Sequence, residues 1–180
     1  MSIRAKSTRI VYQNRWIRLR EDVTVRDDGV EGLYAYIEKE PFAVVLPWDG
    51  SAFTLIRQHR YPVGRRFWEF PQGALDGRSG AAPEEIARTE LREETGLTAG
   101  RLTRLGQFYI AYGMSDQMCT AFLAEDLSAG EAAPEPEEHG LEVKTFPLPE
   151  IESMIEEGQI MDSATLAALY LWKRASERTW

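Results

Sequence analysis

Twice in its first fifty-one residues the chain sets an Asp-Gly pair between runs rich in strand-forming side chains. "RIVYQNRWIRLREDVTV" alternates and is rich in β-branched and aromatic residues, which predicts strands. "RDDGVEG", Arg26 to Gly32, then reads as a hairpin turn, with "LYAYIEK" as the returning strand. "FAVVLPW" and "AFTLIRQH" flank "DGS", which predicts a second hairpin. Further strands are expected at "RLGQFYIAYG" and "CTAFLAE", separated by the turn-like "GMSDQ", and at "LEVKTFPL".

Three helices interrupt these strands. The first begins at Pro83, with Glu84 and Glu85 beside the positive end of its dipole, and stops at Gly96. "LPEIESMIEEG" is the second, ended by Gly158; "DSATLAALYLWKRA" is the third, with Asp162 or Ser163 as its cap. Many strands and few helices imply an α+β domain with helices packed on a mixed sheet. "SAGEAAPEPEEHG", Ser128 to Gly140, is proline-rich and acidic and is expected to be an exposed loop.

At 180 residues the chain is long enough for one domain with its own core and a small appendage. A content of 43% hydrophobic and 28% charged residues is that of a globular protein and argues against disorder. The formal charge of −8 argues against a DNA partner, since nucleic-acid affinity rests on basic surface. The single cysteine, Cys119, lies in the apolar run "MCTAFLA" and reads as a buried structural thiol. "MSIRAKSTRI" has no apolar core of a leader, and no apolar run reaches membrane-spanning length, so a cytoplasmic protein with no membrane partner is expected.

The stretch "TELREETGL" carries the chemistry. On a helix, Glu90, Glu93 and Glu94 fall at i, i+3 and i+4 and share one face. The row Ile86, Glu90, Glu94 lies next to the apolar row Ala87, Leu91, so Glu90 borders the buried stripe. Two carboxylates about 4 Å apart repel by about 4 kcal/mol at an effective dielectric near 20. A divalent cation removes that cost, and oxygen ligands suit Mg²⁺, with Mn²⁺ as the alternative. On spacing alone a solvated charged face, with Glu84 pairing Arg88 and Arg92 screening, explains the same residues.

"WEFPQGALDG" upstream shifts the balance, because a Pro-Gln-Gly turn brings backbone close to a ligand. Together with "ELREETGL" it resembles the box of the Nudix hydrolases: Gly73 opens it, and Glu90, Leu91, Glu93, Glu94, Gly96 and Leu97 fill its second half. The resemblance implies a Nudix-type mixed sheet sandwiched between helices, with Mg²⁺ held by Glu90, Glu93 and Glu94. It also implies the carbonyl of Gln72 as a further ligand, and Glu69 as an acid within reach of the metals. The chain departs from the pattern at three points. Two extra residues lie between Gly73 and Thr89, the first box glutamate falls on Ala81 or on no residue at all, and Thr89 replaces the arginine that orients a catalytic glutamate. Arg92 and Arg78 are the candidates for that lost role.

Outside the box, "VYQNRWIRLREDV", "RQHRYPVG", "SDQ" and "GQIMDSATLAAL" look like the ADP-ribose and nucleotide-sugar pyrophosphatase branch. That likeness implies an N-terminal antiparallel arm, residues 1–40, serving dimerisation of a homodimer, and a hydrolase domain at 41–180. The substrate is anionic, and "RQHRYPVGRR" supplies positive charge; Arg57 and Arg60 are placed on one strand face toward it, with His59 turned away. Arg65 and Arg66 read as pairing with the chain's own acids. Trp16 and Tyr12 in the arm, and Tyr112, are candidates to stack on a base, with core packing or a hairpin end as their plainer roles. The resemblance also implies Glu93 and Glu94 as the catalytic carboxylates of the box. Glu137, then Glu138, is the expected general base in the loop before the last strand.

The leading expectation is therefore Mg²⁺-dependent hydrolysis of the pyrophosphate bond in ADP-ribose or a nucleotide sugar. Tyr112 stands where relatives specific for ADP-ribose carry a proline, which keeps a dinucleoside polyphosphate hydrolase as the second reading. Ala81 and Thr89 motivate a third, a catalytically weak Nudix-fold nucleotide-binding protein.

Overall fold

The computed structural model describes residues 2–74, 80–132 and 140–177. The N-terminal segment forms β1 (Ile3–Gln13), β2 (Arg18–Arg26) and β3 (Glu31–Glu38), an antiparallel sheet in that order. Asn14 closes the first turn by accepting hydrogen bonds from the backbone N–H of Trp16 and Ile17, both 2.9 Å. The second turn is the predicted Asp-Gly one: Asp28 Oδ1 accepts from Val30 N at 3.1 Å, and Gly29 takes φ 83°.

Among the described residues, seven strands build the rest: β4 (Phe42–Pro47), β5 (Ala52–Arg60), β6 (Arg65–Glu69), β7 (Gln72–Gly73), β8 (Leu97–Tyr109), β9 (Met118–Ala129) and β10 (Glu142–Pro147). They divide into a mixed sheet, β7-β4-β9-β8, and an antiparallel sheet, β10-β5-β6. Only β4 and β9 run parallel in the mixed sheet. The helices are α1 (Pro83–Thr95), α2 (Leu148–Glu156) and α3 (Ser163–Ser176), at the segments expected from their caps.

The second expected hairpin does not form. Asp49 Oδ1 accepts from Ser51 N and Ala52 N, so the turn itself is made, but β4 and β5 then part into different sheets, joined by a single bridge at Trp48 and Phe53. The reason lies in β4. Its four central residues, Ala43 to Leu46, are all apolar and fully buried, so both faces need cover. Ala43 and Val45 pack with Ile86, Ala87 and Leu91 of α1. Val44 and Leu46 pack with Phe53, Leu55 and Phe70 and with Ala164, Ala168 and Leu169 of α3. A strand flanked by β9 and β7 gets that double cover; one half of an exposed hairpin does not. After "RYPVG" the chain turns back on itself: β6 begins at Arg65 and pairs with β5.

Candidate active site

The site grows from α1. Pro83 occupies its first turn with Glu84 and Glu85, and Gly96 ends it in the left-handed region at φ 73°, its N–H donating to Arg92 O at 2.8 Å. A Cβ at Gly96 would lie 2.9 Å from the Ala132 nitrogen and the Gly130 oxygen, so glycine is required there. The spacing of four carries Glu90 and Glu94 inward beside Ile86: they are 7% and 1% exposed. Both carboxylates meet β7. Glu94 Oε2 accepts from Gln72 N at 2.8 Å. A Cβ added at Gly73 would stand 2.5–2.8 Å from the carboxyl atoms of Glu90, so the missing side chain is what admits that carboxylate. Glu93 turns to the rim, half-buried, with Arg92 Nη2 at 3.1 Å. Arg92 thus sits where it can steady Glu93, while Arg88 donates to the Ala99 carbonyl at 2.8 Å.

A second acidic group lies on the β5–β6 hairpin. Glu69, 1% exposed, accepts from Gln58 Nε2 at 2.8 Å and from Arg60 through both Nε, at 3.2 Å, and Nη2. Burial pushes the Glu69 carboxyl above its ordinary range, against the opposing pull of Arg60. Burial works against the charge on Arg60, yet Glu69, with Glu94 and Asp162 further off, outweighs it and holds the guanidinium above its usual value.

Strand alternation corrects the expectation for the arginines. Arg57 and Arg60 are three apart and face opposite ways. Arg60 shares its face with Gln58 and Glu69. Arg57 lies over Trp68, 6.0 Å from the ring centre, with Glu142 at 3.8 Å, and His59 is on that same side. Arg66 behaves as a structural cation: it donates to the carbonyls of Gly140, at 2.6 Å, and Arg57, at 3.1 Å, and pairs with Glu142 at 2.8 Å.

Sequence reasoning treated Asp162 only as a helix cap and did not single out Gln58 or Thr165. Asp162 Oδ2 does cap α3, accepting from Thr165 N at 2.7 Å, and it also accepts from the Gln72 side chain at 2.9 Å. Gln58 was legible through its place two residues before Arg60 on one strand face. No local signal marks the reach from Asp162 to Gln72, ninety residues apart.

The remaining candidates stand apart. Tyr112 is 84% exposed in the turn between β8 and β9, a turn that also receives the arm through Ile37 N to Met114 O at 2.9 Å and Tyr34 Oη to Gly113 O at 2.8 Å. Trp16 is exposed at the β1–β2 turn beneath the Arg15 guanidinium, 4.1 Å from its ring centre, and Tyr12 is exposed near it. Thr89 is half-buried on α1. Glu137, Glu138 and Arg78 lie outside the described residues. Cys119 is buried, and desolvation pushes its thiol up to about 12, as suits an inert structural cysteine.

Among the described residues, no three acidic, histidine or cysteine groups are gathered closely enough to hold an ion by themselves. The donors present still fit Mg²⁺. They are hard oxygens, two of them brought to adjacent residues of β7, and Mg²⁺ is commonly held by one or two carboxylates together with substrate phosphates.

Comparison with known proteins fits this geometry. Residues 39–168 match the NUDIX domain, and residues 3–37 match the nucleoside diphosphate sugar hydrolase N-terminal domain. The chain belongs to the Nudix hydrolase family and is a hydrolase of the ADP-ribose and nucleotide-sugar pyrophosphatase-like type. It is 35% identical to an ADP-ribose pyrophosphatase of Bacillus subtilis, over 71% of this chain and 68% of that one. To an ADP-ribose pyrophosphatase of Mycobacterium tuberculosis it is 33% identical, over 71% and 61% of the two chains. It is also 30% identical to a GDP-mannose pyrophosphatase of an Enterobacter species, over 85% and 77%. A solved structure described as an ADP compounds hydrolase shares the fold, with a TM-score of 0.86 over 99% of this chain and 96% of its own, at 21% identity. Among the described residues no helix is long and apolar enough to cross a membrane.

Proposed function

We propose that this chain hydrolyses the pyrophosphate bond of a nucleoside diphosphate joined to a sugar, ADP-ribose or a nucleotide sugar, with Mg²⁺ as cofactor and Mn²⁺ as a substitute. The observation that carries the reading is the placement of Glu90 and Glu94, buried and turned onto the backbone of Gln72 and Gly73. Glu90, Glu93 and Glu94, with the Gln72 carbonyl and Glu69, form the ligand set. A divalent ion held there supplies charge neutralisation to the diphosphate and lowers the pKa of water.

The chain's own residues then have distinct tasks. Glu69 fixes Arg60 by a forked pair, which orients that guanidinium at the edge of the acidic site for a phosphate oxygen. Water attacks one phosphorus, the bridging oxygen leaves with the other phosphate, and two monophosphates result. The proton lost by water passes to a carboxylate, Glu137 first and Glu138 second. Arg57, on the far face of β5 over Trp68 and beside Glu142, is left out of phosphate binding. Trp16 and Tyr112 are exposed rings available to a base.

Residues 1–40 act as a dimerisation arm and 41–180 as the hydrolase domain of a cytoplasmic homodimer. The arm's exposed Ile3, Ile10, Val11 and Leu33 support this. A panel of ADP-ribose, GDP-mannose and diadenosine tetraphosphate, assayed for products across a Mg²⁺ and Mn²⁺ titration, tests the reading. Turnover confined to the dinucleoside substrate, or turnover indifferent to both ions, rejects it.

A further inference from the structure

The start of α3 holds contacts that the reaction as proposed leaves unused. Asp162 Oδ2 accepts two hydrogen bonds, one from Thr165 N that caps the helix and one from Gln72 Nε2. The Thr165 hydroxyl, fully buried, accepts from Phe70 N at 3.0 Å. Between these two contacts, the Pro71 carbonyl accepts from Val45 N at 2.9 Å. Gln72 N completes the set by donating to Glu94 Oε2. Residues 70–72 are therefore tied to α3 twice, to β4 once and to α1 once.

Such density is needed because β7 is two residues long and pairs only with β4. Its ladder there is only two pairs long, Ala43 with Gly73 and Val44 with Gln72, too short to fix its position alone. A helix cap alone requires only Thr165 N as donor; the second bond, from a buried glutamine, serves the strand. Catalytic groups must be held to about 0.5 Å, and a misplacement of about 1 Å far from the chemistry can cost about a hundredfold in rate.

We propose that Asp162 is a positioning residue: through the Gln72 amide it holds the β7 backbone in register with Glu90 and Glu94. The effect proposed is geometric; the charge of Asp162 also reaches Arg60 and Glu69, and Asp162→Asn, which removes charge but keeps the bonds, separates the two. The rate readout of this inference rests on the proposed reaction; a second readout does not.

The test compares Asp162→Ser, Asp162→Asn and Gln72→Ala in the full chain. Serine restores a cap to α3 but falls short of Gln72, whereas the asparagine oxygen can accept both bonds. Hydrogen exchange of the Gln72 backbone amide is measured by NMR beside ADP-ribose kinetics. In Asp162→Ser, exchange at Gln72 is expected to quicken about tenfold, with melting temperature near wild type. Its kcat is expected to fall about tenfold with KM little changed, while Asp162→Asn keeps both properties. The double variant Asp162→Ser/Gln72→Ala should be no slower than the slower single one, since both act through one bond. Wild-type exchange at Gln72 in Asp162→Ser, or rate losses that multiply in the double variant, overturns the inference. Should Asp162→Ser fail to fold, Gln72→Ala, which leaves the cap intact, carries the same comparison. Should the wild type leave ADP-ribose uncut, the proposed reaction fails and the exchange result alone decides the role of Asp162.

Discussion

The two ends of the molecule treat their apolar residues in opposite ways. In β4 the run Ala43 to Leu46 is fully buried, with α1 on one face and α3 on the other. In the arm, β1 is exposed along all eleven of its residues, and Leu33 of β3 is 66% exposed. Both regions carry strand-forming sequence, so propensity does not separate them. Cover does. A sheet is stable when a second layer buries one face, and the arm is held chiefly by its ladder and by pairs such as Arg18–Glu38 at 2.8 Å and Arg20–Glu38 at 2.7 Å. Surface pairs of this kind contribute about 0–1 kcal/mol each. The body buries its apolar strand on both faces; the arm leaves its apolar side chains exposed.

One substitution made in both regions gives the largest contrast. Leu46→Ala should cost about 2–5 kcal/mol of unfolding free energy, the range for emptying a packed site. Leu33→Ala should cost about 0.5 kcal/mol or less in dilute protein, as for an exposed position. If a second copy covers the arm, that small cost grows with protein concentration, because assembly stabilises by mass action. Equal losses at both leucines in denaturant titrations would break the comparison.

Next in size is Glu94→Gln. It removes charge while keeping shape, and turnover should drop about a hundredfold or more, the scale of losing one electrostatic group from an active site. Gln72 N keeps an oxygen acceptor, so the fold survives. Glu90→Gln should also lose activity and gain slightly in stability without metal, since it relieves repulsion between neighbouring carboxylates. Wild-type rates in either variant, measured with saturating Mg²⁺, would remove these side chains from the site.

The helices were legible because their punctuation is local. Pro83, Gly96 and Asp162 each act within one turn of their own position. The place of Glu90 beside the buried stripe followed from the same four-residue spacing, whereas the near-complete burial of Glu94 depends on β7 crossing that face. The partners of β4 were not legible. The Asp-Gly turn predicts a reversal and is silent on which strand lies alongside, and β9 pairs from 77 residues downstream, Phe42 with Cys119. The arginine error had a different origin: alternation separates Arg57 from Arg60, and counting along the strand was enough to show it. The bond from Asp162 to Gln72 has no sequence signature, since either residue alone satisfies a simpler role.

A smaller effect is expected at the arm's outer face. Ile10→Lys places charge on an exposed apolar strand, and sedimentation should show the proposed dimer dissociating at roughly tenfold higher concentration than wild type, about 1.4 kcal/mol. A mass independent of the substitution would argue that this strand lies outside the interface. ADP-ribose turnover per chain, measured alongside, tells whether the arm also completes the substrate pocket.

The smallest contrast is one of sign. Glu69 in the body is raised above 4.5 by burial despite Arg60. Its native form therefore keeps a proton to higher pH than the unfolded chain does. The associated stability is fully present below the unfolded value and is lost as pH rises through the folded one. Asp28 in the arm is lowered below 3.8, first by its hydrogen bonds from Arg26 and then by Val30 N. Its contribution is present above the unfolded value and is lost as pH falls through the folded one. Glu69→Gln should thus gain stability relative to wild type as pH climbs past 4.5, and then hold level. Asp28→Asn should lose its disadvantage as pH drops below 3.8. Melting curves of the two variants against wild type, taken from pH 3 to 8, should diverge in these opposite directions. Parallel trends would mean that the two carboxylates feel similar surroundings, and the division between a closed body and an open arm would fail at its charged groups.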